Sequence, residues 1–396
     1  MTNSWPHIAT VGCVDSMSAY PHPDSCEQLL AQMIAYETTS LQFGGPAGGE
    51  ARLAAFLESA AGDWGLRTRR CAVDGGAFNL LVECEVAPDL EWLLFASHLD
   101  TVGVEGMTVA PFAAYVDGDR IHGRGACDTK GSGAAMLWAL RDYARGAVRP
   151  RNVGVLFTVD EEARMSGARA FAARELRTIP RLRGIVVGEP TLMLPVVAHN
   201  GLVRWRTITR GVAAHSSDPS RGRSAISAMV RVVAELESRY VPLASRTHPL
   251  TGRAAASVNT IRGGTQVNVT PDFCEIECDR RLVPGESAEE ALAARDAVLA
   301  GLAVEHGSPY VAPPLDEACG RGLLDWARPA LVACRMGAAP AGAAYATEAG
   351  HYAAAGAATI VLGPGDVAQA HTRDEWVERA QLLAAVQLYG SIMRIP

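Results

Sequence analysis

Two histidines and five carboxylates of this chain stand where short apolar runs stop or helices start. Trp92-Leu93-Leu94-Phe95-Ala96 leads into Ser97-His98-Leu99-Asp100, and Ile185-Val186-Val187 leads into Gly188-Glu189-Pro190. Val153-Gly154-Val155-Leu156-Phe157-Thr158-Val159 leads into Asp160-Glu161-Glu162, and Thr359-Ile360-Val361-Leu362 into Gly363-Pro364-Gly365, with His371 beyond that turn. Asp128 lies between the glycine-rich turn Gly123-Arg124-Gly125 and a helix start. Taken singly, each has an ordinary reading. His98 and Asp100, two apart on a strand, project to the same side. They read as metal ligands, or as a strand-end histidine bonded to a carboxylate. Asp128 by itself reads better as a helix N-cap. Glu161 and Glu162 repel each other unless a cation or proton intervenes, or they form the exposed first turn of a helix.

The elements around them change that balance. Near-continuous apolar runs suit strands buried on both faces. Helical periodicity lies between the runs: Met136, Leu137, Leu140 and Tyr143 share one face after Asp128, as do Ala168, Phe171 and Ala172 after Glu162. Alternating strands and helices predict a doubly wound α/β sheet, whose ligands gather at the carboxyl ends of the strands. Four strand ends would then deliver His98, Asp100, Asp128, Glu161, Glu162, Glu189 and His371 to one rim. Such a cluster calls for bound metal. Imidazole and carboxylate donors without cysteine suit Zn²⁺, with Mn²⁺ or Co²⁺ as substitutes. A carboxylate beyond the ligand count leaves a general base, and a bridging one makes a two-metal site.

Between about 201 and 307 the texture changes. Val203-Arg204-Trp205-Arg206-Thr207-Ile208 alternates, as does much of 273–282, the mark of antiparallel strands with one wet face. One amphipathic helix carries Ile226, Met229, Val230, Val233 and Leu236; another starts at Ser287 with Glu290 three residues on, a capping box. The reading is a catalytic α/β domain, 1–200 and 308–396, interrupted by a smaller α+β domain, 201–307. The last apolar strand and a helix from Trp376 onward return to the first texture. The 396 residues, 48% hydrophobic and 20% charged, are those of a globular protein of more than one domain. A net charge of -7 argues against a nucleic-acid surface. The first twenty residues show no cationic stretch followed by an apolar run, and no run approaches the ~20 residues that span a bilayer. Nine scattered cysteines without a CxxC pair read as buried free thiols of a reducing, cytoplasmic compartment.

With these motifs in hand, the chain resembles the co-catalytic zinc amidohydrolases and peptidases, a group that includes acetylornithine deacetylase, succinyl-diaminopimelate desuccinylase, aminoacylases and glutamate carboxypeptidases. The segments that carry the resemblance are SHLDTVG (97–103), GRGACDTKGSGAA (123–135), FTVDEEARMSGAR (157–169), VVGEPT (186–191), GVAAHSSDPSRGRSAI (211–226) and NVTPDFCEIECDRRLVPG (268–285), followed by ATEAG (346–350) and VLGPGDVAQAHTRDEWV (361–377). The TEA and LGPG wording is nearest to the acetylornithine deacetylase branch.

The resemblance implies a role for each matched position. His98 and Glu189 hold one metal, Glu162 and His371 the other, and Asp128 bridges them. Asp100 orients His98. Glu161 is the general base that takes a proton from the bridging water and passes it to the leaving amine. His215, from the second subunit of a homodimer, binds the oxyanion, and Asn268 and Arg281 hold the substrate's α-carboxylate. The implied activity is hydrolysis of the amide of a small N-acyl amino acid, in the acetylornithine branch of arginine biosynthesis. A dipeptidase or carboxypeptidase would keep the same metal residues, and a non-catalytic binding protein would have lost Glu161 or a ligand. Thr129 and Asn200 depart from the Met and Lys that relatives often carry.

Overall fold

The computed structural model describes residues 23–396. Cys13 and the first twenty residues, read above for a leader, lie outside the described residues. The other eight cysteines are free; six are buried as expected, but Cys319 is exposed and Cys334 only half-buried. Among the described residues no helix is long and apolar enough to cross a membrane.

The chain forms two compact units. One takes the residues up to 196 with 320–340 and 355–396, and the other takes 197–319 with 341–354. In the first unit, four parallel strands make the centre of a mixed sheet: β1 (Trp92–His98), β2 (Asn152–Thr158), β3 (Leu182–Val187) and β4 (Thr359–Val361). Their spatial order is β2-β1-β3-β4, and Phe78–Cys84 and Arg67–Ala72 extend the sheet antiparallel beyond β2. Every residue of β1 and β2 is buried, so both faces of the sheet are covered. Leu93, Leu94 and Phe95 are wholly inaccessible, and each such side chain contributes about 1.5–3 kcal/mol of burial.

The helix after Asp128, α1 (Lys130–Ala144), packs against β1 and β2 and against the C-terminal helix Arg379–Met393. Small residues permit this approach. A Cβ on Gly188, the residue before Glu189, would come within 2.5 Å of the Ser132 Cβ. The expected helix from Trp376 begins later. Trp376–Glu378 is a short strand paired with Arg120–His122, and the ladder holds it extended up to Arg379.

The second unit is α+β. Its sheet has Gly201–Arg210 at the centre, flanked by Phe273–Leu282 and then Ala255–Gly263, with the helices Ala225–Glu235 and Ala288–Val298 over its apolar face. Gly201–Arg210 alternates in burial from Val203 onward, as its sequence alternates. Ser287 Oγ accepts from the Glu290 amide at 3.1 Å and starts the second helix. In the first helix, Met229 and Leu236 are buried, but Ile226 and Val230 are 37% and 59% exposed, so the stripe read from sequence is only partly inward. The unit is also wider than 201–307. Tyr310–Ala312 pairs with Gly201–Arg210, and 341–354 is tied in by Asn200 N–H donating to the Ala343 carbonyl at 3.2 Å and by His199 Nε2 bonding to Thr347 Oγ1 at 3.1 Å.

Candidate metal centre

Because β1 to β4 are neighbours and parallel, the residues that follow them leave the sheet at one edge. His98, the last residue of β1, is 1% exposed. Its Nδ1 donates to the Asp100 carbonyl at 2.9 Å, and the Asp100 carboxylate lies farther off at 3.5 Å. That carboxylate chiefly accepts the backbone N–H groups of Glu161 at 2.9 Å and Glu162 at 3.0 Å. Asp100, at the end of β1, therefore holds the loop that follows β2, besides lying beside His98.

Asp128 is not a helix N-cap. Thr129 stands at that position of α1 without a side-chain cap bond. Each Asp128 carboxylate oxygen instead faces a different histidine, Oδ1 at 3.0 Å from His98 Nε2 and Oδ2 at 3.3 Å from His371 Nε2. Glu162 lies 3.1 Å from the same His371 nitrogen and is not in a helix, since the next one begins at Ser166. Two ligand-competent groups result: His98, Asp128 and Glu189; and Asp128, Glu162 and His371. In each, the donor atoms lie within 4.8 Å of one another. Both are made of imidazole and carboxylate, and they share a carboxylate with one oxygen toward each histidine. This donor set fits a pair of divalent ions with Asp128 between them.

Charge is poorly balanced without such ions. Burial pushes Glu161 well above the usual carboxylate range; His98 pulls it back, while Glu189, Glu162 and Asp100 push it further. Burial, reinforced by Asp128, raises Glu162 to about 7. Hydrogen bonds to Asp128 and Glu162 raise His371 to about 10. Burial alone would lower His98, but bonds to Asp100 and Asp128 carry it well above its ordinary value. Asp128, despite its burial, is held low by the bonds from His371 and His98.

His215, Asn268 and Arg281 all lie in the second unit. His215 is exposed on the two-residue strand Ala214–His215, paired with Val269–Thr270. Its Nδ1 accepts from the Ser217 amide at 3.1 Å, so in the neutral ring the proton sits on Nε2. Asn268 is exposed, and its carbonyl accepts from the Ser216 amide at 3.0 Å. Arg281 Nε donates to Asp279 at 2.7 Å, and Arg204 Nε to the other oxygen of Asp279 at 2.8 Å. Two guanidinium groups share one carboxylate and keep a net positive charge. The departures also acquire partners: Thr129 Oγ1 lies 3.0 Å from Ser97 Oγ, and Asn200 Nδ2 donates to the Ala344 carbonyl at 3.3 Å.

One residue outside the expected set stands out. Glu375 is wholly buried and accepts hydrogen bonds from the loop that carries Asp128. Its only sequence signal is the acidic pair Asp374-Glu375 in the motif after His371, which reads equally as a solvated charge run.

Neighbouring carboxylates hold the His98 and His371 imidazoles above their ordinary range, so a divalent ion bound by these groups displaces protons from them. Binding should release protons at pH 7–8, and affinity should rise with pH through neutrality toward about 10, where the His371 proton is lost without help. Calorimetry in buffers of different ionisation enthalpy checks this, and a heat independent of the buffer would contradict it.

Comparison with known proteins agrees with this geometry. The profile described as peptidase family M20/M25/M40 matches residues 94–395. The chain is 32% identical over 364 residues to an acetylornithine deacetylase of Edwardsiella ictaluri (strain 93-146), covering 88% of this chain and 92% of that protein. It is 33% identical over 337 residues to one of Yersinia pseudotuberculosis serotype O:1b (strain IP 31758), covering 80% and 82%. Among solved structures, an M20 family metallo-carboxypeptidase of Sulfolobus solfataricus shares the fold with a TM-score of 0.75 at 16% identity, over 94% of this chain and 99% of that one. A dinuclear metal-binding M20 peptidase of Bacillus subtilis does so with a TM-score of 0.67 at 16% identity, over 93% and 97%. The chain therefore belongs to peptidase family M20/M25/M40 and is a metallohydrolase.

Proposed function

We propose that this enzyme hydrolyses the amide of an N-acyl amino acid, with N-acetylornithine as the substrate its similarity to acetylornithine deacetylases favours, and that it serves arginine biosynthesis in the cytoplasm. The observation that carries the reading is the pair of histidine–carboxylate groups sharing Asp128. His98 and Glu189 would hold one divalent ion and Glu162 and His371 the other, with Asp128 between; zinc suits the donors, and cobalt or manganese would substitute. Such ions supply Lewis acidity to the amide carbonyl and acidify the attacking water.

The remaining work falls to protein groups. Glu161, its amide pinned by Asp100, takes the proton of the attacking water and hands it to the leaving nitrogen. Arg281 and Asn268 hold the α-carboxylate of the substrate. His215, through Nε2–H, donates to the oxyanion in the partner subunit of a two-fold homodimer. Exposed Ile226, Val230 and Ile261 on the second unit supply apolar surface suited to such a dimer.

A hydrolysis panel of N-acetyl, N-succinyl and N-formyl amino acids with dipeptides tests the substrate. N-acetylornithine should be cleaved fastest, chelation should abolish the activity, and Zn²⁺ or Co²⁺ should restore it. Faster cleavage of dipeptides would move the enzyme to the peptidase side of its family, and full activity without metal would overturn the mechanism.

Glu161→Gln should lower the rate roughly 10²–10⁴-fold and leave metal content nearly intact, whereas Glu162→Gln should lose metal. The opposite pattern would mean that the two roles are exchanged.

His215→Ala should lose roughly 10²–10³-fold in rate. If His215 acts on the partner's site, co-refolding the His215→Ala and Glu161→Gln chains gives mixed dimers with one intact site. About a quarter of the unmodified activity should return, since half the dimers are mixed and half their sites intact. No recovery on mixing would assign His215 to its own chain.

A further inference from the structure

We propose that Glu375 is a positioning residue of the metal centre, holding the loop that bears Asp128 to the segment that bears His371; this rests on the metal-binding reading above. Its carboxylate is wholly buried and receives four donors. Oε1 accepts from the backbone N–H of Cys127 at 2.9 Å and of Asp128 at 3.0 Å. Oε2 accepts from the backbone N–H of Gly125 at 3.0 Å and from Arg124 Nη1 at 2.7 Å.

A salt bridge to Arg124 would need one oxygen and no backbone. Here most of the donors are amides of 125–128, curled into a concave nest of the kind that binds anions. Gly125 makes the nest possible with φ at 82°, where a Cβ would also come within 2.9 Å of Thr101 Cγ2. The same stitch runs in both directions. Gly123 N–H donates to the Glu375 carbonyl at 3.0 Å, and Arg124 Nη2 reaches the Thr372 carbonyl, next to His371, at 3.3 Å. Fixing the Asp128 amide fixes its Cα, from which a short side chain reaches the oxygens that face His98 and His371. Glu375 follows His371 by four residues, so the clamp sets the spacing of Asp128 and His371. Asp100 does the corresponding work for Glu161 and Glu162.

Glu375→Gln keeps the size and places an NH₂ against N–H donors. Glu375→Asp keeps the charge and shortens the reach by one methylene. Metal-free protein is titrated with Co²⁺ by calorimetry and visible absorption, with unfolding of the metal-free form followed alongside. The unmodified chain should take up two equivalents. Folded Glu375→Gln should bind the equivalent held by Asp128, Glu162 and His371 on the order of ten-fold or more weakly, with an altered cobalt spectrum, and Glu375→Asp should recover part of both. Unchanged affinities and spectrum in Glu375→Gln would overturn the proposal. Should that variant fail to fold, Glu375→Asp decides: a shifted spectrum upholds the clamp, and an unmodified one overturns it. If the unmodified chain itself binds no cobalt, the metal-centre reading fails instead.

Discussion

The crowding of carboxylates at one end of a buried sheet is the constraint that the rest of the centre answers. Asp100, Asp128, Glu161, Glu162 and Glu189 converge where β1, β2 and β3 end, in surroundings that exclude most water. Two like charges about 4 Å apart repel by about 4 kcal/mol at an effective dielectric of about 20, so several together would pull the rim apart. Cations between them reverse the sign of the problem. Hydrogen bonding to the carboxylates holds the His98 and His371 imidazoles above their ordinary range, and the same bonds hold Asp128 below its own.

Backbone amides answer the same constraint differently. Asp100 and Glu375 are the most deeply buried acidic groups near the centre, and both are directed at N–H groups of loops. A carboxylate that accepts two or three backbone donors keeps its charge without a cation beside it. It also converts that charge into geometry, because each accepted amide fixes one residue of a loop that would otherwise move. The loops in question carry Asp128, Glu161 and Glu162.

The second unit manages charge on a wetter surface. Arg204 and Arg281 divide Asp279 between them, and Arg210 meets Glu305 across neighbouring strands. Exposed pairs like the last contribute little to stability. The half-buried Arg281, pre-oriented by Asp279, is a better candidate for holding an anion than a freely rotating arginine. The helix Ala225–Glu235 turns Met229 and Val232 inward but leaves Ile226 and Val230 in solvent. Its pattern by itself suggested one continuous apolar stripe.

Period and punctuation were enough to read the four central strands, but not Arg67–Ala72 and Phe78–Cys84, which extend the sheet, nor the spatial order. Runs such as 92–96 and 153–159 are too apolar for anything but a covered strand, and charged residues at their ends mark where each leaves the core. The candidate ligands His98, Glu162 and Glu189 could be picked out because they follow those ends, whereas Asp128 by itself read as a helix N-cap and was singled out by its motif. Tertiary contacts decided the rest. Glu375 is separated in sequence from Gly125, in the loop it holds, by 250 residues, and no local pattern distinguishes such an acid from a solvated one. Trp376 is extended because Arg120–His122 pairs with it, overriding its place at the head of an apolar helix. The second unit gained 341–354 through contacts with distant residues, among them the bonds to His199 and Asn200, which leave no trace in composition. Local sequence sets propensity and burial within an element; a contact made between distant segments is specified only when both are brought together.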